Sequence, residues 1–402
     1  MADNTPVRLG LYTEDGIVKL NGAPFYGFGT NYYDIASRPF YDPECTDFEV
    51  GIQNLKRFKL PYIRVRFSAW GNEGMDLFWN NREAYFAVLD RCVALCEKYR
   101  MGIIAVLCWT TNPYVYPYAS FSPEPMSHAE FIRRDDTVGY QKMLAYIKAV
   151  VTRYRLSPAL WGWEIGNEYN LACDVHPLYL PAADLAAFFL RVGEKIREYD
   201  GSGRLIETGN SQNRPGSYHL MRRQAKADPW PDSSVWSEEK QDHVMEPDSP
   251  EEMAEMLKLY DSPAMSVSST HLYNCTQILG GKTVPISEYV RFFTAVGKQM
   301  QKPLFVGEYC DDEINGITQW TPEIEAESLA KFQILHEAMV NNDVQLAMLW
   351  MQSNDRDIYY TLNSYHTYML SRVKEANETF AAAGKQPVES YWSQTAPIFY
   401  RG

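Results

Sequence analysis

Two glutamates sit at the ends of apolar runs. Asn167-Glu168 closes ALWGWEIGNE (159–168), and Glu308-Tyr309 closes PLFVGEY (303–309). A buried carboxylate is costly unless it is paired or used, so two of them in such places call for an explanation. Other polar residues fall near the ends of similar runs: Asn31 after PFYGFGT, Arg64 and Arg66 in YIRVRF, His271 and Tyr273 in AMSVSSTHLY, and Trp350 in VQLAMLWMQ. Cleavage of a glycosidic bond uses such a pair of carboxyls. One protonates the leaving oxygen and the other attacks the anomeric carbon, in a retaining arrangement with the carboxyls about 5 Å apart. The acid needs a raised pKa. The nucleophile needs to stay ionised, which a neighbouring arginine favours. Arg64 suits that task, and Arg66, two residues on with the same facing, stays open beside it.

These residues need elements that bring them to one place. Short apolar or β-branched runs alternate with longer amphipathic stretches, the pattern of βα units around a parallel sheet. Strands are expected at 62–67, 103–109, 159–168, 204–210, 264–273, 303–309 and 344–352, after a first strand that ends near Asn31. Helices are expected at about 81–100, 139–154, 182–199, 287–301, 323–341 and 365–383. Asn21-Gly22 between IVKL and PFYGF signals a hairpin before the first strand. Eight apolar strands, each followed by helix-length sequence, make one (β/α)8 TIM barrel with an N-terminal β-hairpin and long βα loops, a single catalytic domain over 1–402. A doubly wound sheet is the alternative, but its first turn would carry a phosphate fingerprint that this chain lacks. Residues 110–137 and 211–263 are longer than ordinary connections and rich in aromatics, and they read as the walls of a cleft.

Composition narrows the partners. The chain has 402 residues, of which 46% are hydrophobic, and a net charge of −13. Nucleic acid is excluded as a partner, because counterion release needs a basic surface. An anionic membrane surface is disfavoured for the same reason. No apolar run approaches the ~20 residues of a membrane span. Aromatics make up 14% of the chain, which suits stacking on sugar faces as well as ordinary core. The seven cysteines show no framework spacing, and Cys92 and Cys96 share a helix face as small buried hydrophobes. MADNTPVRLG contains no apolar signal segment, so the expected location is the cytoplasm, or outside it for a secreted protein whose signal has been removed. Oligomeric state is not legible.

WEIGNE (Trp163–Glu168), HLY (His271–Tyr273), FVGEY (Phe305–Tyr309), Leu349-Trp350 and the opening PFYGFGTNYYD resemble, in order and spacing, the strand-end motifs of clan A glycoside hydrolases, most like family 5 and its mannanase-like members. The resemblance runs from about residue 16 to about 384. It implies Glu168 as acid/base and Glu308 as nucleophile. It implies that Asn167 bonds a substrate 2-hydroxyl, that Tyr273 donates to Glu308, that His271 lines the pocket and that Arg64 holds Glu308 ionised. Trp350 would floor the reactive subsite, and Trp109 would be a stacking platform where many members carry histidine. Asn31 joins the substrate-binding set. It further implies retention of configuration, no metal or organic cofactor, and a β-linked oligo- or polysaccharide of β-mannan or β-glucan type as partner.

Other chemistries fail on their motifs. Gly281-Lys282-Thr283 looks like the end of a P-loop, but Thr276 stands where its first glycine belongs. Neither H-E-x-x-H nor G-x-S-x-G occurs. Asp311-Asp312-Glu313 reads as a solvated acidic loop. Two competing functions keep the barrel: a carbohydrate-binding pseudoenzyme, and a transglycosylase using the same two glutamates.

Overall fold

A computed structural model describes residues 7–40, 42, 44–45, 48–68, 73–109, 128–174, 181–224, 247–311, 321–352 and 364–402. Eight parallel strands form its central sheet: β1 (Gly27–Asn31), β2 (Tyr62–Arg66), β3 (Gly102–Cys108), β4 (Leu160–Gly166), β5 (Leu205–Glu207), β6 (Ser268–Leu272), β7 (Leu304–Tyr309) and β8 (Leu346–Leu349). The order is β5-β4-β3-β2-β1-β8-β7-β6. The two end strands meet through Ser266, whose N–H donates to the Ile206 carbonyl at 2.8 Å and whose hydroxyl accepts from Ile206 N–H at 3.1 Å. Those bonds draw the sheet round into the expected (β/α)8 barrel.

Every residue of these strands is buried. Burial on both faces explains why they read as unbroken apolar runs. The surrounding helices start where the sequence offers caps. Asn81 accepts from Ala84 N–H ahead of Arg82–Tyr99, and Thr137 from Tyr140 N–H ahead of Val138–Tyr154. Ser249 and Glu252 form a full capping box at Pro250–Tyr260. Thr321 and Pro322 open Pro322–Asn341.

The N-terminal device has one strand more than a hairpin. Leu11–Glu14, Ile17–Leu20 and Ala23–Pro24 form an antiparallel meander. Its turns, Asp15-Gly16 and Asn21-Gly22, both have two positive φ angles, as two-residue hairpin turns demand. Gly281-Lys282-Thr283 belongs to a second hairpin, Thr276–Leu279 with Lys282–Pro285, turning on Gly280-Gly281.

Most strand limits agree with the sequence reading within one or two residues. The exceptions are informative. The fifth strand stops at Glu207, three residues early, because Gly209 takes φ +74° and turns the chain into the barrel mouth. The sixth begins at Ser268, and the eighth ends at Leu349. All seven cysteines are free thiols, Cys92 and Cys96 both buried. All of 110–127, the middle of the 211–263 connection, and Asp312 and Glu313 lie outside the described residues. Asp311, read as the start of a solvated loop, is instead buried. Among the described residues, no helix is long and apolar enough to cross a membrane.

Candidate active site

Arg64 is the hub of the barrel mouth. It rises from β2 and is fully buried. Its Nε and Nη2 donate to the two oxygens of Glu164, each at 2.5 Å. Nη2 also donates to Asn167 Oδ1 at 2.7 Å. Nη1 donates to Glu308 Oε1 at 2.6 Å, to Asn31 Oδ1 at 2.9 Å and to the Tyr33 hydroxyl at 2.5 Å. A guanidinium has five N–H donors, so the two on Nη1 are shared among its three acceptors. Of the two arginines left open by spacing, Arg64 is therefore the one on Glu308. The guanidinium of Arg66 lies 5.6 Å over the Trp109 ring.

Glu308 is aimed by a β-bulge. On β7, Val306 pairs with Thr270 of β6, yet Glu308 pairs with the very next residue, His271. Gly307 is the extra residue, and such an insertion re-aims the side chain that follows it. The Gly307 carbonyl accepts from Asn31 Nδ2 at 3.0 Å. A Cβ at Gly307 would sit 2.9 Å from the His271 ring, so a larger residue there would push that ring aside. Glu308 also accepts a hydrogen bond from the Tyr273 hydroxyl.

Glu168 stands beyond the end of β4 in a left-handed conformation, φ +55°. Its N–H donates to the Gly209 carbonyl at 2.6 Å. Asn170 and Ser211 exchange two more bonds between the same loops, at 2.9 and 3.1 Å. Tyr169 donates to the Cys108 carbonyl at 3.0 Å. The Tyr-Asn that follows Glu168 thus ties its turn to β3 and to the loop after β5. A non-glycine residue at positive φ is an arrangement that surrounding structure has to enforce.

His271 joins the two carboxyls. Its Nδ1 lies 2.8 Å from Glu168 Oε1 and 3.5 Å from Glu308 Oε2. One oxygen of each glutamate and a ring nitrogen of His271 all fall within 4.8 Å of one another. These are also donor atoms with metal-binding spacing, although Arg64, Tyr273 and His271 already occupy the carboxylates. A second group of that kind, His219, Asp248 and Glu252, lies in the connection after β5. There Asp248 accepts from Tyr218 N–H, His219 N–H and His219 Nδ1, which is the work of a helix cap.

The charge tuning runs opposite to the expectation. Burial pushes the Glu168 carboxyl up, but the hydrogen bond and charge of His271, a bond from Ser211 and the charge of Arg64 outweigh it, and the net shift is downward. Burial raises Glu308 despite His271, Arg64 and Tyr273, and the charge of Glu168 adds to the rise. The reason is His271. Sequence placed it in the pocket, while the structure bonds it to the supposed acid.

Around this centre lies an aromatic wall. Trp109 is buried, its ring 4.7 Å from that of Tyr33 and 5.5 Å from the Arg64 guanidinium. Its surface is taken up by protein, so an open platform is not what it offers. Trp350 is only partly buried and meets Tyr33 edge to face at 5.6 Å. Asn31 is fully buried, with its oxygen on Arg64 and Tyr33 and its nitrogen on Gly307 and Leu349 carbonyls. It holds the site together rather than facing a ligand.

All nine residues singled out by sequence meet in this one region. Sequence reading missed Tyr33, Glu164, Glu207 and the glycines 209 and 307. Glu164 and Glu207 had left a trace, each being a carboxylate inside an apolar strand.

No family model matches the chain. It is 30% identical over 201 residues to a probable mannan endo-1,4-beta-mannosidase F of Aspergillus flavus, covering 43% of this chain and 40% of that one. It is 24% identical over 209 residues to the mannan endo-1,4-beta-mannosidase F of Aspergillus clavatus, covering 46% of each. The matched stretch is thus less than half the length of these relatives. Among solved structures, the endo-1,4-beta-mannanase of Rhizomucor miehei superposes with a TM-score of 0.62 at 16% identity, over 92% of this chain and 99% of that one. The exo-beta-1,4-mannosidase Op5Man5 of Opitutaceae bacterium strain TAV5 superposes with a TM-score of 0.60 at 14% identity, over 93% and 63%. In the order of its motifs and in its barrel, the chain is similar to the glycoside hydrolases of clan A, most like family 5.

Proposed function

We propose that this chain is a retaining β-glycoside hydrolase acting on β-mannan-type glycans, with the (β/α)8 barrel as its catalytic unit. The observation that carries the reading is the approach of Glu168 and Glu308, with carboxylate oxygens within 4.8 Å. Retaining enzymes hold their carboxyls about 5–5.5 Å apart, and inverting ones leave about 6.5–9.5 Å for a water. Mannan is chosen over other β-glycans because the curated relatives are named for it.

The residues divide the work as follows. A Glu308 oxygen attacks the anomeric carbon, the glycosidic C–O bond breaks, and Glu168 gives its proton to the leaving oxygen. Water then attacks the anomeric carbon, Glu168 takes the water's proton, and the Glu308 ester bond breaks. The 2.8 Å His271–Glu168 bond is the path by which the proton given to the leaving oxygen reaches Glu168. A hydrogen-bonded imidazole is suited to passing a proton in this way. Raised basicity makes Glu308 the better nucleophile once it is ionised. Arg64 fixes Asn167 by its oxygen, which leaves the amide nitrogen to donate to a sugar hydroxyl. Trp350 supplies the exposed ring under the sugar.

The test is product analysis on β-mannan, mixed-linkage β-glucan, cellulose and xylan, with Glu308→Ala as the blank. Cleavage of mannan that the variant abolishes is the expected result. Transfer products in place of hydrolysis would favour the transglycosylase. Binding of mannan without turnover would establish the pseudoenzyme instead.

A further inference from the structure

A second pair of carboxyls lies directly beneath the first, and the proposed mechanism leaves it without a task. Glu164 and Glu207 stand on adjacent strands, β4 and β5, paired with each other in register. Both are fully buried. Glu164 takes the Nε and Nη2 side of the Arg64 fork, and Glu308 takes Nη1. Glu207 accepts from Gly209 N–H at 2.7 Å, and the carbonyl of that same Gly209 accepts from Glu168 N–H at 2.6 Å. The lower pair thus connects to both upper carboxyls, through Arg64 on one side and through Gly209 on the other.

We propose that Glu164 and Glu207 are a positioning pair. Glu164 occupies half of the Arg64 fork so that only Nη1 is left to meet Glu308, and Glu207 holds the Gly209 turn from which Glu168 hangs. This inference rests on the glycosidase reading for its catalytic consequence, though not for its electrostatics.

Charge is divided across the Arg64 fork. A guanidinium with a single carboxylate partner at 2.6 Å would depress that partner, because an opposite charge favours the ionised form. Glu308 is raised instead, with burial the largest cause. The charge of Arg64 is already shared with Glu164, to which it makes two bonds against one. Ionisation of Glu207 is disfavoured beside Glu164. Burial first, then the charge of Glu164 and the hydrogen bond to it, hold its carboxyl well above the ordinary range, against the opposing pull of Arg64 and Ser269. The other groups facing Glu308 are Tyr33 from the end of β1, Glu168 from β4, and His271 and Tyr273 from β6.

The experiment is a carbon-13 carboxyl titration of Glu308 by NMR, comparing wild type with Glu164→Gln. Removing the Glu164 charge leaves Arg64 to Glu308 alone and removes a repulsion, and both effects act downward. The expected result is a fall of about one pH unit in the Glu308 titration. With it should come about a tenfold loss in kcat at little change in KM, the signature of a loss confined to the transition state. An unmoved titration overturns the proposal. This readout needs no substrate, so a protein silent on every glycan would sink the glycosidase reading and leave the pair to be judged alone. Glu164→Gln leaves a buried arginine short of a partner and can fail to fold. Infrared spectroscopy of the wild type then decides, since a neutral carboxyl band at neutral pH that disappears in Glu207→Gln supports the pair, and its absence from the wild type overturns it.

Discussion

The Nδ1 of His271 lies 2.8 Å from Glu168 Oε1, and this bond decides which way the Glu168 carboxyl titrates. Burial acts on Glu168 upward, and His271 is the largest influence against it. A carboxyl held low in the folded state stabilises the protein above its unfolded value. That contribution is lost as pH falls through the folded value. His271→Ala is therefore expected to be less stable than wild type above the ordinary Glu value of 4.5, with the difference closing below it. Melting temperatures of both proteins from acid to neutral pH check this. A constant difference across the range would mean that His271 does not hold Glu168 ionised.

Tyr273 acts on the other carboxyl with the opposite consequence. Its hydroxyl donates to Glu308 and favours the ionised form. Tyr273→Phe removes that donor and nothing else of the ring. Glu308 should then rise further. The acid limb of kcat/KM, which reports the free nucleophile, should move to higher pH, by about half to one unit. This is the reverse of the shift expected for Glu164→Gln, so the two variants together separate loss of a donor from loss of a charge. An acid limb that stays in place would remove Tyr273 from the ionisation of Glu308.

Gly209 is the backbone point on which Glu168 depends. It has φ +74°, and a Cβ there would run into the Gly166 carbonyl oxygen and the Glu164 carboxylate. Neither can rotate away, since one is backbone and the other is bonded to Arg64. Gly384 also has positive φ, +71°, with nothing near its missing Cβ. Gly384→Ala should cost about 1 kcal/mol, the conformational penalty alone. Gly209→Ala should cost about 3 kcal/mol or more, because a clash is added. Thermal unfolding of the two variants compares them directly, and equal losses would show that the Gly209 turn can relax.

The barrel was legible because strands buried on both faces write themselves as apolar runs, and helices between them carry caps such as Asn81, Thr137 and Ser249. The strand ends carried Glu168, Glu308, Arg64 and His271, since polar residues there break the run. What escaped was whatever depends on register and on backbone sign. Gly307 reads as one more small residue in FVGEY until β7 is set against β6 and the bulge is counted. Glu164 and Glu207 look like isolated anomalies until pairing brings β4 beside β5. Partnership was equally hidden. Trp109 has the residue type of a sugar platform, but it is buried beside Tyr33 and two guanidiniums. The tuning of the two glutamates was misread because it hangs on a side-chain contact between His271 and Glu168 that no spacing announces.

Trp350, like Tyr273, is left partly open at the barrel mouth, and its edge contact with Tyr33 links it to Arg64. Two effects of its removal can be told apart. Losing the flat surface beneath a sugar weakens binding in ground state and transition state alike, which raises KM with kcat unchanged. Losing support for Tyr33 disturbs the Arg64 fork and lowers kcat. Trp350→Phe keeps a smaller ring against Tyr33, whereas Trp350→Ala keeps neither. For Trp350→Ala the expectation is a KM raised about tenfold, equivalent to about 1.4 kcal/mol of binding, together with a several-fold fall in kcat. For Trp350→Phe it is a smaller rise in KM with kcat near that of wild type. Steady-state kinetics on soluble manno-oligosaccharides measures both constants. If both variants left KM in place and lowered kcat equally, Trp350 would be acting through Tyr33 alone, and the floor of the subsite would have to be sought elsewhere.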